Sequence, residues 1–241
     1  MKQPGRVLAI IPARGGSKGI PRKNIFPLCG KPVLQYTAEA AHSATTLARV
    51  ILSTDDKEIA EVGRKCGLDV PFTRPAELAR DDTPSLAVIQ HAVAFVEDCG
   101  ETYDAICLLQ PTTPLRRPEH IDACVRLLFE SQVDSVVTVL PVPDKYNPCW
   151  VYFQEPDGTL HLSTGGRDPI PRRQELPVAL RREGSVYVTR RDVVMEHNSL
   201  YGERIVGYQI DPDESVDLDS MDDLKRAEQL LRARGKGVSR A

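Results

Sequence analysis

Gly15, Gly16 and Gly19 are interleaved with Arg14, Ser17, Lys18, Arg22 and Lys23, and no acidic residue interrupts the chain between Arg14 and Lys31. Glycine lets backbone N–H groups approach an anion closely because no Cβ intervenes. Arg, Lys and Ser side chains add charge-assisted hydrogen bonds to phosphate oxygens. The segment therefore reads as a cradle for a polyphosphate. Its spacing matches neither the G-x-x-x-x-G-K-[ST] phosphate loop nor the G-x-G-x-x-G dinucleotide fingerprint. A solvated basic loop is the plainer alternative, and the apolar run Val7-Leu8-Ala9-Ile10-Ile11 just before it argues against that, because the run reads as a buried strand.

A second constellation lies near the C-terminus, in Val216-Asp217-Leu218-Asp219. In a strand, residues two apart point to the same side, so Asp217 and Asp219 can present two carboxylates to one divalent cation. Mg²⁺ suits such a pair, with substrate phosphates and waters completing its octahedron. General surface acidity is the competing reading, since Asp211, Asp213, Glu214, Asp222 and Asp223 surround the pair. The five histidines have no metal-ligand spacing and no neighbouring nucleophile motif, and none is given a catalytic role.

Other segments carry polar residues beside strands or helices. Leu109-Gln110-Pro111-Thr112-Thr113-Pro114-Leu115-Arg116 follows a strongly apolar run and could equally be a proline-stiffened turn. Asp82 and Ser85 stand where a helix N-cap is expected. Arg172, Arg173, Arg181 and Arg182 could be a site or an exposed basic cluster.

The elements that must position these residues follow from apolar periodicity. Strands are expected at Val50-Ile51-Leu52-Ser53-Thr54, Ala105-Ile106-Cys107-Leu108-Leu109 and Ser135-Val136-Val137-Thr138-Val139, then at Gly184-Ser185-Val186-Tyr187-Val188 and 205–210. Helical spacing falls at 32–47, 57–66, 86–96, 121–129 and 220–233. This alternation predicts an α/β fold, a mostly parallel sheet covered by helices on both faces. Ligands of such sheets bind beyond the carboxyl ends of the strands, the rim to which the Gly15 and Gln110 loops belong. Seven prolines between 140 and 177 break the pattern. A hairpin is expected there around Pro156-Asp157-Gly158. The chain thus divides into a core of 1–140 and 177–233, a small insertion at 141–176, and a tail at 234–241 that reads as disordered.

With 241 residues, 41% hydrophobic and 27% charged, the composition is that of an ordinary globular protein. A net charge of −3 and 5% aromatic content give no argument for a nucleic-acid or membrane partner. No apolar run approaches the length of a membrane span, no signal-peptide core is evident, and the six cysteines are scattered, so a cytoplasmic protein with reduced thiols is expected.

Taken together, these segments resemble the CMP-sugar synthetases that activate acidic sugars, the N-acylneuraminate cytidylyltransferase type, over about residues 7–231. The 109–116 segment matches that family's L-Q-P-T-S-P-L-R at every position except Thr113. The resemblance implies a Rossmann-like nucleotidyltransferase, a homodimer in which the insertion of one subunit helps to close the partner's site, and transfer of CMP from CTP to an acidic, nonulosonic-acid-like sugar with Mg²⁺ on Asp217 and Asp219. It implies that Gly15, Gly16, Ser17, Lys18 and Arg14 hold the triphosphate, with Lys23 and Asn24 near the α-phosphate. Arg74, Thr83 and Ser85 would read cytosine and ribose, and Gln110 would face the sugar. Arg173 would meet the sugar carboxylate and Tyr187 would line the sugar pocket. Arg14, Lys18, Lys23 and Gln110 are the expected catalytic contacts. Two departures fall on the acceptor side: Trp150 stands where the sialate enzymes carry a lysine, and Glu183 where the family carries an asparagine. They keep open another anionic acceptor, such as a different ulosonic acid or a phosphonate. A nucleotide-binding protein without turnover is a further alternative.

Overall fold

The computed structural model describes residues 5–17 and 19–238. In chain order the elements begin with β1 (Val7–Pro12), the two-residue strands β2 (Pro27–Leu28) and β3 (Lys31–Pro32), α1 (Val33–Ser43), β4 (Arg49–Ser53) and α2 (Lys57–Lys65). They continue with α3 (Ser85–Asp98), β5 (Ala105–Leu108), α4 (Pro118–Ser131), β6 (Ser135–Pro141), β7 (Tyr152–Gln154) and β8 (Leu160–Leu162). Strand β9 (Leu180–Arg190), α5 (Arg191–Met195), β10 (Ile205–Gln209) and α6 (Met221–Val238) complete the chain. The main sheet has six strands in the order β10-β6-β9-β5-β1-β4. All neighbours are parallel except β9, which runs antiparallel to both β5 and β6.

Both sheet faces are covered, which is why the strands read as continuous apolar runs and not as alternating ones. Val7, Ala9 and Ile11 pack under α1, α2 and α4, while Leu8 and Ile10 pack under α3 and α5. A third cluster joins Ile20 and Leu28 of the glycine-loop region to Leu115, Val216, Leu218 and α6 residues Leu224 and Ala227. This small core clamps the loop, the Gln110 turn and the acidic segment against one another.

Local signals set the helix ends. Asp56 caps α2, accepting from the Ile59 N–H at 3.0 Å. Pro118 opens α4 at a position where its missing N–H has no partner to lose. Gly67 and Gly100 follow the ends of α2 and α3 at φ +80° and +87°, the left-handed step that favours glycine. Ser220 and Asp223 form a reciprocal cap for α6, with Ser220 N–H donating to Asp223 Oδ2 at 2.8 Å. Helix α6 runs through Val238, so residues 234–238 are helical where a disordered tail is expected; 239–241 lie outside the described residues.

The insertion forms the β7–β8 hairpin around Gly158 (φ +87°). Its side chains and those at its base are unusually open: Phe153 is 56%, Leu160 62%, Tyr146 59% and Val178 89% exposed.

Candidate active site

Three confluent cavities lie at the rim of the sheet. The first, of 230 Å³, is lined by Pro12, Arg14, Arg74, Thr83, Ser85 and Gln110, among others. The second, of 380 Å³, is lined by Arg14, Gly16, Ser17, Lys23, Asn24 and Asp219 with Thr112. The third, a 570 Å³ cleft, includes Lys23, Gln110, Glu183, Tyr187, Asp217 and Asp219. Arg14 joins the first to the second, Lys23 and Asp219 join the second to the third, and Gln110 joins the third to the first. Of the predicted residues, Arg14, Gly16, Ser17, Lys23, Asn24, Arg74, Thr83, Ser85, Gln110, Tyr187, Asp217 and Asp219 thus form one continuous surface, while Gly15 and Arg173 line none of the three cavities. Lys18 lies outside the described residues.

The glycine loop is held from below. Asn24 Nδ2 donates to the Arg14 carbonyl at 2.9 Å, and the Gly15 N–H donates to Asp55 Oδ1 at 3.1 Å. Arg22, in the left-handed region at φ 56°, donates to Asp56 at 2.5 and 3.0 Å and also pairs with Glu58, tying the loop to the start of α2. Gly19 is required by close approach: a Cβ there would sit 2.2 Å from the Asp219 carbonyl oxygen. Arg14 Nη1 lies 2.5 Å from Asp81 Oδ1, so the guanidinium is oriented across the junction of the base and phosphate cavities.

In the base cavity Arg74 is buried. Its Nε donates to Ser53 Oγ at 3.0 Å and its Nη2 to the Ser53 carbonyl, which locks the guanidinium into the wall. Burial pushes its pKa down to about 10, with Asp55 acting in the opposite direction. Thr83 donates to the Glu77 carbonyl at 3.3 Å, and Ser85 is the first residue of α3.

The acidic segment is extended but makes no strand ladder. The alternation predicted for a strand still holds, with Val216 and Leu218 buried in the third core while Asp217 and Asp219 face the cleft. The Leu218 N–H donates to the Thr112 carbonyl at 2.9 Å. Lys23 Nζ donates to the Leu218 carbonyl at 2.6 Å and to Asp219 Oδ1 at 3.1 Å. The protein that surrounds Asp217 raises its pKa, a Thr112 hydrogen bond opposes that, and the Asp219 charge adds to it. Two carboxylates on one side of the segment, facing the cleft, fit a hard divalent cation. Among the described residues no group of three or more His, Cys, Asp or Glu side chains could hold a metal, so substrate oxygens and waters would complete its coordination.

Sequence reasoning gave Arg116 no role. It is 5% exposed and sits behind the Gln110 turn, donating to Ser185 O and Thr37 Oγ1 at 2.8 Å each and to Thr113 Oγ1 at 2.5 Å, and also to the Gln110 carbonyl. Removing Arg116 would leave these buried acceptors unpaired, at about 1–3 kcal/mol for each one left unsatisfied, so Arg116 is a strut for this turn. The only sequence signal was an arginine closing a proline-rich turn.

The acceptor residues divide. Tyr187, buried and with its pKa pushed up to about 12 by that burial, lines the cleft. Arg173 lines none of the three cavities; its side chain is 77% exposed on the insertion and pairs with Asp144. Trp150 is also outside them, donating its indole N–H to the Ile170 carbonyl at 2.6 Å within the insertion.

Residues 8–235 match the cytidylyltransferase family model. A Legionella pneumophila CMP-N,N'-diacetyllegionaminic acid synthase is 32% identical, the match covering 94% of this chain and 96% of that one. A Campylobacter jejuni pseudaminic acid cytidylyltransferase is 29% identical over 93% and 96%. An Escherichia coli N-acylneuraminate cytidylyltransferase is 30% identical over 92% of this chain, which spans only 51% of that longer protein. Among solved structures, a CMP:2-keto-3-deoxy-manno-octonic acid synthetase complexed with CTP superposes with a TM-score of 0.72 at 18% identity, covering 95% of this chain and 99% of that one, and shares the fold. On the match across nearly its whole length, the chain belongs to the cytidylyltransferase family, in the group of CMP-sugar synthetases.

Proposed function

We propose that this protein transfers CMP from CTP to an acidic sugar of the nonulosonic-acid type and releases pyrophosphate. The observation that carries the reading is the position of Gln110, where the cavity lined by Arg74, Thr83 and Ser85 meets the cleft lined by Asp217, Asp219 and Tyr187. The legionaminic and pseudaminic relatives match over nearly their full lengths, which favours that acceptor class.

In this reading Arg74, Thr83 and Ser85 hold cytosine and ribose. Arg14, Ser17, Lys18 and the backbone at Gly16 hold the triphosphate, while the Gly15 N–H, predicted to join them, is given to Asp55 and braces the loop. An acceptor hydroxyl lying against Gln110 and Tyr187 attacks the α-phosphorus in line and gives up its proton to solvent, the bond to the bridging oxygen breaks, and pyrophosphate leaves along the glycine loop. Lys23 and Asn24 stand beside the α-phosphate. Asp217 and Asp219 would hold Mg²⁺, which supplies charge neutralisation of the phosphates. Positioning and electrostatics account for most of the rate, and no protein nucleophile is needed.

The exposed Tyr146, Phe153 and Leu160 support a homodimer in which the insertion packs against a second copy and Arg173 reaches the partner's acceptor pocket. No helix among the described residues is long and apolar enough to cross a membrane, and all six cysteines are free; both are compatible with work in the cytoplasm. A second reading, transfer to another anionic acceptor, is favoured by Glu183 and Trp150, which differ from the sialate pattern and are both engaged by protein groups.

The test is pyrophosphate release from CTP with a panel of ulosonic acids and phosphonates. Turnover with a nonulosonic acid is expected. Release confined to a phosphonate or an eight-carbon acid would move the assignment to the second reading, and tight CTP binding without release from any acceptor would refute catalysis.

A further inference from the structure

We propose that Glu183 is a positioning residue that fixes the Asp217–Asp219 pair through Ser215. Glu183 is 6% exposed and borders the acceptor cleft. Its Oε2 accepts from the Ser185 N–H at 2.8 Å and its Oε1 accepts from Ser215 Oγ at 2.7 Å. Each oxygen therefore accepts from a protein donor, which ties the carboxylate into the framework of the cleft. It is turned inward where β9 departs from regular pairing: Gly184 is at φ +103°, and the β6–β9 register shifts between Val137 and Val139. Bulges often re-aim a side chain in this way beside active sites.

Ser215 lies two residues before Asp217. On the far side of Asp217, Leu218 is held by the Thr112 carbonyl at 2.9 Å and by Lys23 Nζ at 2.6 Å. Asp217 thus sits between two anchors, and Glu183 supplies the first. The same carboxylate belongs to a longer buried path. Ser185, whose N–H it accepts, gives its carbonyl to Arg116 Nε at 2.8 Å, and Arg116 holds the Gln110 carbonyl. One network therefore sets the spacing between the Gln110 turn and the acidic segment, which are far apart in sequence. Groups that orient metal ligands in this manner commonly alter metal affinity without touching the ion.

The inference rests on the reading that Asp217 and Asp219 hold a divalent cation beside CTP. It is tested with Mn²⁺ as the probe, titrated by electron paramagnetic resonance into full-length protein saturated with CTP. Wild type, Glu183→Ala, Ser215→Ala, the double variant, Glu183→Gln and Asp219→Asn are compared, with thermal melts and acceptor KM measured alongside. Each alanine variant should weaken Mn²⁺ binding about tenfold, the double variant should add nothing further, and acceptor KM should stay unchanged. Glu183→Gln should restore binding to near wild type, because its amide oxygen can accept from Ser185 while its N–H donates to the Ser215 hydroxyl. Should Glu183→Ala not fold, Ser215→Ala carries the same comparison. Unchanged Mn²⁺ binding in the alanine variants, additive losses, or a changed acceptor KM with unchanged Mn²⁺ binding would each overturn the inference while leaving the metal site standing. Asp219→Asn binding Mn²⁺ as well as wild type, or wild type binding none, would overturn the metal site and the inference together.

Discussion

The phosphate loop and the insertion hold their arginines and lysines in opposite ways. Around the loop most of the described polar side chains are engaged. Arg74 is locked to Ser53, Asn24 to the Arg14 carbonyl, and Lys23 to Leu218 and Asp219. On the insertion Arg173 stands largely in solvent beside Asp144, and Phe153 and Leu160 expose apolar surface. In the proposed reading, the contrast separates a nucleotide half that one chain preorganises from an acceptor half that a second copy would complete. Preorganisation favours a transition-state contact because little reorganisation remains when charge develops. In the proposed homodimer the exposed apolar side chains of the insertion would be covered by a second copy.

The largest effect expected within the preorganised half is at Asp219. Asp219→Asn should lower kcat at least about 100-fold, the scale of losing one electrostatic transition-state contact. A thermal melt would show whether the fold persists, and near-normal turnover in a folded variant at ordinary Mg²⁺ would break the metal assignment. Base reading should give the next largest effect. UTP should be used at least about tenfold less well than CTP by kcat/KM, because a buried polar site rejects a base whose donors and acceptors are mismatched. Equal rates would remove the role given to Arg74, Thr83 and Ser85.

The smallest effect is expected in the open half. Trp150 spends its one N–H on the Ile170 carbonyl and carries no charge, so it cannot replace a lysine facing a carboxylate. N-acetylneuraminate should be a poor acceptor, and Trp150→Lys should improve its kcat/KM by about threefold to tenfold relative to the preferred acceptor, a modest gain for one exposed cation. If wild type already uses N-acetylneuraminate best, the comparison at Trp150 fails.

The two halves were also unequally legible in the sequence. Val7 to Ile11, the 105–109 run and the 135–139 run announced buried strands through unbroken apolar character, and the hairpin at Gly158 announced itself by its turn residues. The antiparallel course of β9 was not legible, since a buried strand looks the same in either direction. Asp217 and Asp219 were legible because alternation survives in an extended segment even without ladder partners. Arg116 and the Glu183–Ser215 contact were not, because their hydrogen bonds span 69 and 32 residues of chain, which no local spacing encodes; Glu183 stood out only as a departure from the family's asparagine. For Arg173, sequence reasoning supplied a role while the single chain places the residue outside the cleft.

The most direct test of the central claim, that one chain completes the nucleotide half and a second copy completes the acceptor half, is subunit complementation. Arg173→Ala and Asp219→Asn are each assayed alone at low acceptor concentration, where both should be strongly impaired, and then unfolded, mixed in equal amounts and refolded together. If Arg173 acts across a two-fold interface, random pairing makes half the dimers mixed, each with one intact site, and about a quarter of wild-type activity should return. No recovery, from a mixture shown by mass spectrometry to contain mixed dimers, would place Arg173 on its own subunit's site or outside the reaction and would contradict the account.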